Sequence, residues 1–223
     1  MHPRPLTRAQ SRRIDALAIE RFGLAGLVLM ENAGRGVADV LSNLGIGGRV
    51  IVLCGKGNNA GDGFVIARHL DLRGYNVGIL LWSEPAALRG DAAANFRAAA
   101  ALGLSIEFPS VGENDALLDR RLAGADWLVD ALLGTGVEGD PRPPLDRVID
   151  RFNAAAGRKL AVDLPSGLDC DTGQPSAHTI VAHHTCTMFS PKIGFFAPGA
   201  DAYTGQVHVV DIGIPPRLAD EIA

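Results

Sequence analysis

The sequence predicts an α/β fold with a mostly parallel central sheet covered by helices on both faces. Seven apolar runs, "RVIVLC", "YNVGILLW", "LSIEF", "DWLVDALL", "KLAVDL", "HTCTMFS" and "QVHVVDI", are continuously apolar rather than alternating, as strands buried on both sides are. Helical segments separate the first five of them, which is the pattern of parallel strands joined by crossover helices. No linker, internal repeat or low-complexity tract divides the 223 residues, so a single domain over 1–223 is expected.

Two helices are expected to open the chain. Thr7 and Gln10 have capping-box spacing, and Ile14, Leu17, Ala18 and Phe22 then fall on one helical face. The second helix runs from about residue 26 to 44, with Leu27, Met30, Val37, Leu41 and Leu44 as its stripe and Gly45 where the chain can turn left-handed. Gly34 and Gly36 on this helix permit close packing, a feature compatible with a homodimer. Glu31 and Asn32, in the middle of the helix, fit either a polar packing seam or the border of a site. Between the strands, helices are expected over 62–73, 90–102, 113–123 and 144–156. "VEGDPRPP" and "PSGLDCDTGQPSAH" read as long functional loops.

Composition removes several function classes. Net charge is −4 and no basic stripe is present, which argues against a nucleic-acid partner. The start "MHPRPLTRAQSRR" lacks the apolar core of a signal peptide, and "LAGLVLM" is too short to span a bilayer. Cys54, Cys170 and Cys186 are widely spaced and odd in number, against a disulfide framework or zinc ribbon and in keeping with a reducing cytosol. A soluble, cytoplasmic protein is expected.

In open parallel sheets, ligands bind beyond the carboxyl ends of the strands. Four of those ends are rich in polar groups: "GKGNNAGDG" after the first run, Asp130 and "GTGVEG" at the fourth, Asp163 and "PSGLD" at the fifth, and "PKIG" with Lys192 after the sixth. Each piece alone has a structural reading. "GKGNNA" and "GTGVEG" are weak glycine patterns, Asp62 suits a helix cap, Asp130 and Asp163 suit ordinary strand ends, and Lys192 suits a solvated surface. His178, His183 and His184 lack metal-ligand spacing. An ordinary dehydrogenase is disfavoured because its ribose-binding acid has only the late Glu84 as a candidate. Asp62 would also put a negative charge where a helix N-terminus should receive phosphate. A Walker lysine-serine/threonine pair is absent from the sequence, which excludes a nucleotide triphosphatase of that type.

Taken in order, "MENAG", "GKGNNAGDGFVIARHL", "VDALLGTG", "VDLPSGLD" and "PKIG" resemble the NAD(P)H-hydrate epimerase family, the YjeF N-terminal domain. The motifs run unbroken from Met30 to Gly194. The resemblance implies a three-layer Rossmann-like fold and an isomerase that interconverts the R and S forms of hydrated NADH and NADPH. It implies substrate contacts from Asn58, Asn59, Ala60, Gly61 and Asp62, from Gly134, Thr135, Gly136, Val137, Glu138, Gly139 and Asp140, and from Asp163. It further implies a potassium ion held by residues matching Asn59, Asp130 and Ser166, and a dehydratase on a separate protein to act on the product.

The residue chemistry agrees with those implications. Oxygen donors from an amide, one carboxylate and a hydroxyl suit a hard cation of low charge, with backbone carbonyls completing the shell. The reacting carbon bears a hydroxyl and a ring nitrogen, so acid–base opening and reclosure of this carbinolamine requires no redox step. Asp163 is the expected base, and Lys192 the expected source of compensating charge or of a proton. Two alternatives stand beside this reading: a non-catalytic binding or dimerisation module of the same fold, and an atypical NAD(P)-dependent oxidoreductase.

Overall fold

The computed structural model of the protein describes residues 4–109 and 115–222. Its strands are β1 (Arg49–Cys54), β2 (Val77–Leu81), β3 (Ser105–Glu107), β4 (Ala125–Ala131), β5 (Arg158–Val162), β6 (His184–Met188) and β7 (Gln206–Val210). They form one sheet in the order β3-β2-β1-β4-β5-β6-β7. Every neighbouring pair is parallel, so the sheet is wholly rather than mostly parallel.

The continuous apolar runs follow from two-sided burial. Val50, Val52 and Cys54 of β1 point into one core, and Ile51 and Leu53 into the other. The first core is roofed by α1 (Arg8–Phe22), α2 (Gly26–Leu44), α3 (Asn58–Leu72) and α4 (Gly90–Ala101), the second by α5 (Asp115–Leu122) and α6 (Leu145–Ala154). The chain builds outward from β1 to β3, then returns to lay β4 on the other side of β1. The loops after β1 and β4 therefore diverge, opening the crevice where doubly wound sheets place ligands.

Local signals explain the helix ends. The Thr7 hydroxyl accepts from Gln10 N (3.2 Å) and Gln10 Oε1 accepts from Thr7 N (2.9 Å), a complete capping box. Gly23 ends α1 in the left-handed region, at φ 67°.

Several sequence expectations need correcting. The helix expected from residue 62 starts at Asn58, with Gly57 as its cap, so Asp62 lies in the second turn and caps nothing. A Cβ on Gly61 would come within 2.5 Å of Met30 Sδ, and one on Gly63 within 2.7 Å of Cys54 Sγ. These glycines thus let α3 press against α2 and β1 and do not mark a loop. The glycines of α2 are spent in the same way within the chain: a Cβ on Gly34 or Gly36 would lie 2.4 Å from Val65 or Val210. That face is not open to a second copy. Leu27, expected in the buried stripe, is 44% exposed, and Leu29 is buried instead. Glu31 pairs with Arg68 and His69 of α3, and Asn32 donates to Ile212 O (3.0 Å), so both tie α2 to its neighbours. The expected helix start at residue 113 lies outside the described residues.

Candidate active site

The site is built where the loops after β1, β4 and β5 meet. Gly55 N donates to Ala131 O (3.1 Å), and a Cβ on Gly55 would stand 2.1 Å from Leu132 O, so only glycine allows this approach. Asn59 Nδ2 donates to Leu133 O (2.8 Å), and Leu133 N donates to Ser166 Oγ (2.9 Å). Asp130 is fully buried and receives Ser166 Oγ (2.7 Å), Ser166 N (2.8 Å) and Leu132 N (3.1 Å). Burial raises its pKa to about 6, against the pull of the Ser166 and Leu132 hydrogen bonds. Among the described residues it has no cationic partner, and the buried Asn59 Oδ1 has no hydrogen-bond partner.

Asp163 ends β5 at φ 66°, a left-handed conformation that aspartate tolerates better than most residues. The turn aims its carboxylate towards the loop after β6. Its Oδ1 meets Lys192 Nζ (2.7 Å), Thr187 Oγ1 (3.3 Å) and Met188 N (3.3 Å), leaving Oδ2 without a partner among the described residues. Lys192 is 2% exposed, and its backbone is held by a parallel bridge to Leu6.

Asp163 and Lys192 lie in a cavity of about 900 Å³, towards the upper end of the range for small-molecule sites. Asn58, Asn59 and Asp62 face it from the first glycine segment. Ala60 and Gly61 are buried within the fold, and neither lines the cavity. From the second glycine loop, Gly134, Thr135, Gly136, Val137, Glu138 and Asp140 contribute to the wall. Gly139 instead lines a smaller cavity of about 220 Å³, shared with Ser166. Glu84, the late candidate for a ribose-binding acid, lines neither.

Helix α1 supplies residues that carry no motif. Arg8 holds Glu138 (2.7 Å) and Asp169 (2.9 Å), clasping the second glycine loop to the loop after β5, and its backbone N donates to Asp171 (2.7 Å). Asp15 also faces the cavity. It keeps solvent-accessible surface, but the cavity walls crowd it. That crowding and the Asp163 carboxylate raise its pKa to about 6, while the Lys192 ammonium pulls it down. Its only sequence signal was a carboxylate beside the buried Ile14.

Other reactive side chains are occupied elsewhere. Burial pushes Cys170 and Cys186 up to about 12, and Cys54 up as well, so all three remain thiols. His178 pairs with Asp150 (2.9 Å), His183 accepts from Lys159 N (2.9 Å) and His184 meets His208 (3.0 Å).

The model of the family described as "YjeF-related protein N-terminus" matches residues 26–194. The chain belongs to this family. Members similar to it include the NAD(P)H-hydrate epimerase of Rhodopirellula baltica, 45% identical across 96% of this chain and 86% of that one. The NAD(P)H-hydrate epimerase of Pirellula staleyi is 45% identical across 96% and 95%. The Bifunctional NAD(P)H-hydrate repair enzyme Nnr of Moorella thermoacetica is 38% identical across 96% of this chain, which spans 41% of it. The crystal structure of yeast ynu0 has the same fold, with a TM-score of 0.81 and 23% identity over 99% of this chain and 93% of that one. In this YjeF-family chain, the matched region begins after α1, so Arg8 and Asp15 lie outside it.

Proposed function

We infer that the protein is an NAD(P)H-hydrate epimerase, an isomerase that interconverts the R and S forms of hydrated NADH and NADPH. The observation that carries this reading is the Asp163–Lys192 pair in a cavity walled by both glycine segments. An ion pair with one free carboxylate oxygen is equipped for proton transfer, and proton transfer is what lets the C–N bond of a carbinolamine break and re-form without a redox step. Asp163 Oδ2 takes the hydroxyl proton as the C–N bond breaks, giving a ring-opened aldehyde. Rotation about the adjacent C–C bond presents the other face to the nitrogen, and reclosure inverts the centre. Lys192 holds Asp163 in place and balances its charge. The second glycine loop binds the substrate pyrophosphate through its backbone amides.

The test is turnover in labelled water. Epimerisation in heavy water should leave the carbon-bound hydrogen at the inverting centre unexchanged, and oxygen-18 water should leave the hydroxyl oxygen largely unlabelled. Mass spectrometry and proton NMR on the separated epimers read both. Deuterium at that carbon overturns the acid–base scheme, and oxygen-18 incorporation replaces ring opening by hydroxide loss. No acceleration over the spontaneous reaction overturns the epimerase reading. A change at the reduced-nicotinamide absorbance band would favour an oxidoreductase instead.

Asn59, Asp130 and Ser166 suit a potassium ion. The orphaned Asn59 Oδ1 and the cation-free Asp130 carboxylate supply hard oxygen donors at a buried point between the two glycine segments. Bound there, potassium supplies a fixed positive charge that orders Asp130 and the loops. At a hundredfold excess over Kd it should stabilise the fold by about 2.7 kcal/mol, several degrees in Tm at this size. Asp130→Ala should abolish that dependence. Identical melting curves in potassium, sodium and tetramethylammonium would remove the ion from the site.

The proposed functional unit is a single domain, with a dehydratase activity consuming the epimerised product. The unpaired thiols fit a cytoplasmic location. Among the described residues no helix is long and apolar enough to cross a membrane.

A further inference from the structure

With Lys192 paired to Asp163, the scheme still needs an acid for the nitrogen that leaves the reacting carbon. We propose that Asp62 is that acid, protonating the departing ring nitrogen while Asp163 takes the hydroxyl proton. This rests on the epimerase reading above.

Asp62 reaches the cavity from the second turn of α3, half-buried, and among the described residues its carboxyl has no hydrogen-bond donor and no ion-pair partner. An unpaired carboxyl in a recessed wall is costly to ionise. The charged groups around it make ionisation harder still. Asp15 faces the same cavity from α1, Asp163 from the end of β5 and Asp91 from the first turn of α4. The cations in the cavity wall are Lys192, which is bound to Asp163, together with Arg12, Lys56 and Arg142. On α2, Glu31 is occupied by Arg68 and His69. Asp15, Asp62 and Asp163 thus share one cavity, whose buried ammonium is bound to Asp163. Negative charges that share a cavity make ionisation of a further carboxyl there less favourable. Burial first, then the charges of Asp163 and Asp15, push Asp62 well above the usual carboxylate range. Asp15 is pushed less far, to about 6. Environments that separate the pKa values of neighbouring carboxyls assign one as acid and another as base.

The proton balance closes without an external reagent. In the opening step the hydroxyl O–H proton passes to Asp163, and the oxygen pair forms the C=O bond. The C–N pair goes to nitrogen, which takes the Asp62 proton. In reclosure nitrogen attacks the opposite carbonyl face and returns its proton to Asp62, and oxygen recovers its proton from Asp163. Both residues end as they began, as required of a reaction that must run equally well in both directions.

The experiment is the pH–rate profile of wild type, Asp62→Asn, Asp62→Glu and Asp15→Asn, with infrared spectra of the ligand-free proteins at neutral pH. Wild-type kcat/KM should fall at alkaline pH as Asp62 loses its proton. Asp62→Asn should lower kcat by roughly two to four orders of magnitude and lose that alkaline limb, and Asp62→Glu should recover part of the rate. Asp15→Asn removes a negative charge, so Asp62 ionises more easily and the limb should move to lower pH. Wild type should show a protonated-carboxyl stretch that Asp62→Asn lacks. Should Asp62→Asn not fold, the wild-type band and the Asp15→Asn shift still decide. Asp62→Asn turning over within a factor of a few of wild type overturns this assignment alone. So does an alkaline limb that Asp15→Asn leaves in place, or the absence of a protonated-carboxyl band. A wild type that does not accelerate interconversion overturns the function and this assignment together.

Discussion

Replacing Asp163 by asparagine is expected to lower kcat by roughly two to four orders of magnitude, the usual loss when a positioned base is removed. Asparagine is the informative substitution for a backbone reason. Asp163 sits at φ 66°, a region that asparagine enters readily and alanine does not, so Asp163→Ala would mix strain with lost chemistry. The amide can still accept from Thr187 and Met188, which now bond Oδ1 at 3.3 Å. What it cannot do is take a proton or balance the Lys192 ammonium 2.7 Å away. A buried ammonium without its counter-charge is unfavourable, so some stability is lost as well. Measuring kcat on protein shown to be folded at the assay temperature separates the two effects. Turnover within a factor of a few of wild type would remove Asp163 from the proton-transfer step.

The opposite behaviour is expected at Trp127. It is fully buried near the start of β4, where its Nε1 donates to Gly45 O (3.0 Å) and the Arg158 guanidinium lies 4.3 Å from the ring. Trp127→Ala deletes the largest fully buried side chain and leaves the Gly45 carbonyl at the end of α2 to Arg158 alone. The expected cost is about 3–5 kcal/mol, equivalent to a fall in Tm of roughly 6–20 °C at this size. The site loops begin beyond the other end of the strand, roughly 16 Å away at the strand rise per residue. Folded Trp127→Ala should therefore retain wild-type kcat. A Tm within about 2 °C of wild type would show that the lower end of the sheet is repacked easily.

The two substitutions mark different kinds of legibility. Trp127 lies in a run that was continuously apolar in sequence, and two-sided burial in a parallel sheet is why such runs announce themselves. The motif residues Asn59, Asp130, Asp163 and Lys192 were legible because parallel strands deliver their carboxyl ends to one edge, whatever the loops do afterwards. The start of α3 was not. Glycine and asparagine in "GNNAGDG" signal a loop locally, yet Gly61 and Gly63 lie within a helix and are glycine because Met30, Cys54 and Ala131 occupy the space their side chains would take. Gly34 and Gly36 were open to the same misreading, since a small residue looks alike whether the surface that needs it belongs to this chain or another.

The sequence by itself determined the α/β architecture, the first capping box and the set of polar strand ends, because each depends on periodicity or on residues a few positions apart. Only the tertiary structure decided that Asp15, from a helix outside every motif, shares a cavity with Asp62 and Asp163. Only it decided that Arg8 would clasp Glu138 and Asp169, more than a hundred residues away. Side-chain hydrophobicity encodes burial locally, but the energy of a charge depends on its distance to every other charge and to water. How far Asp15 and Asp62 resist ionisation is therefore set by how α1 and α3 are laid against β5, a quantity with no local representation in the chain.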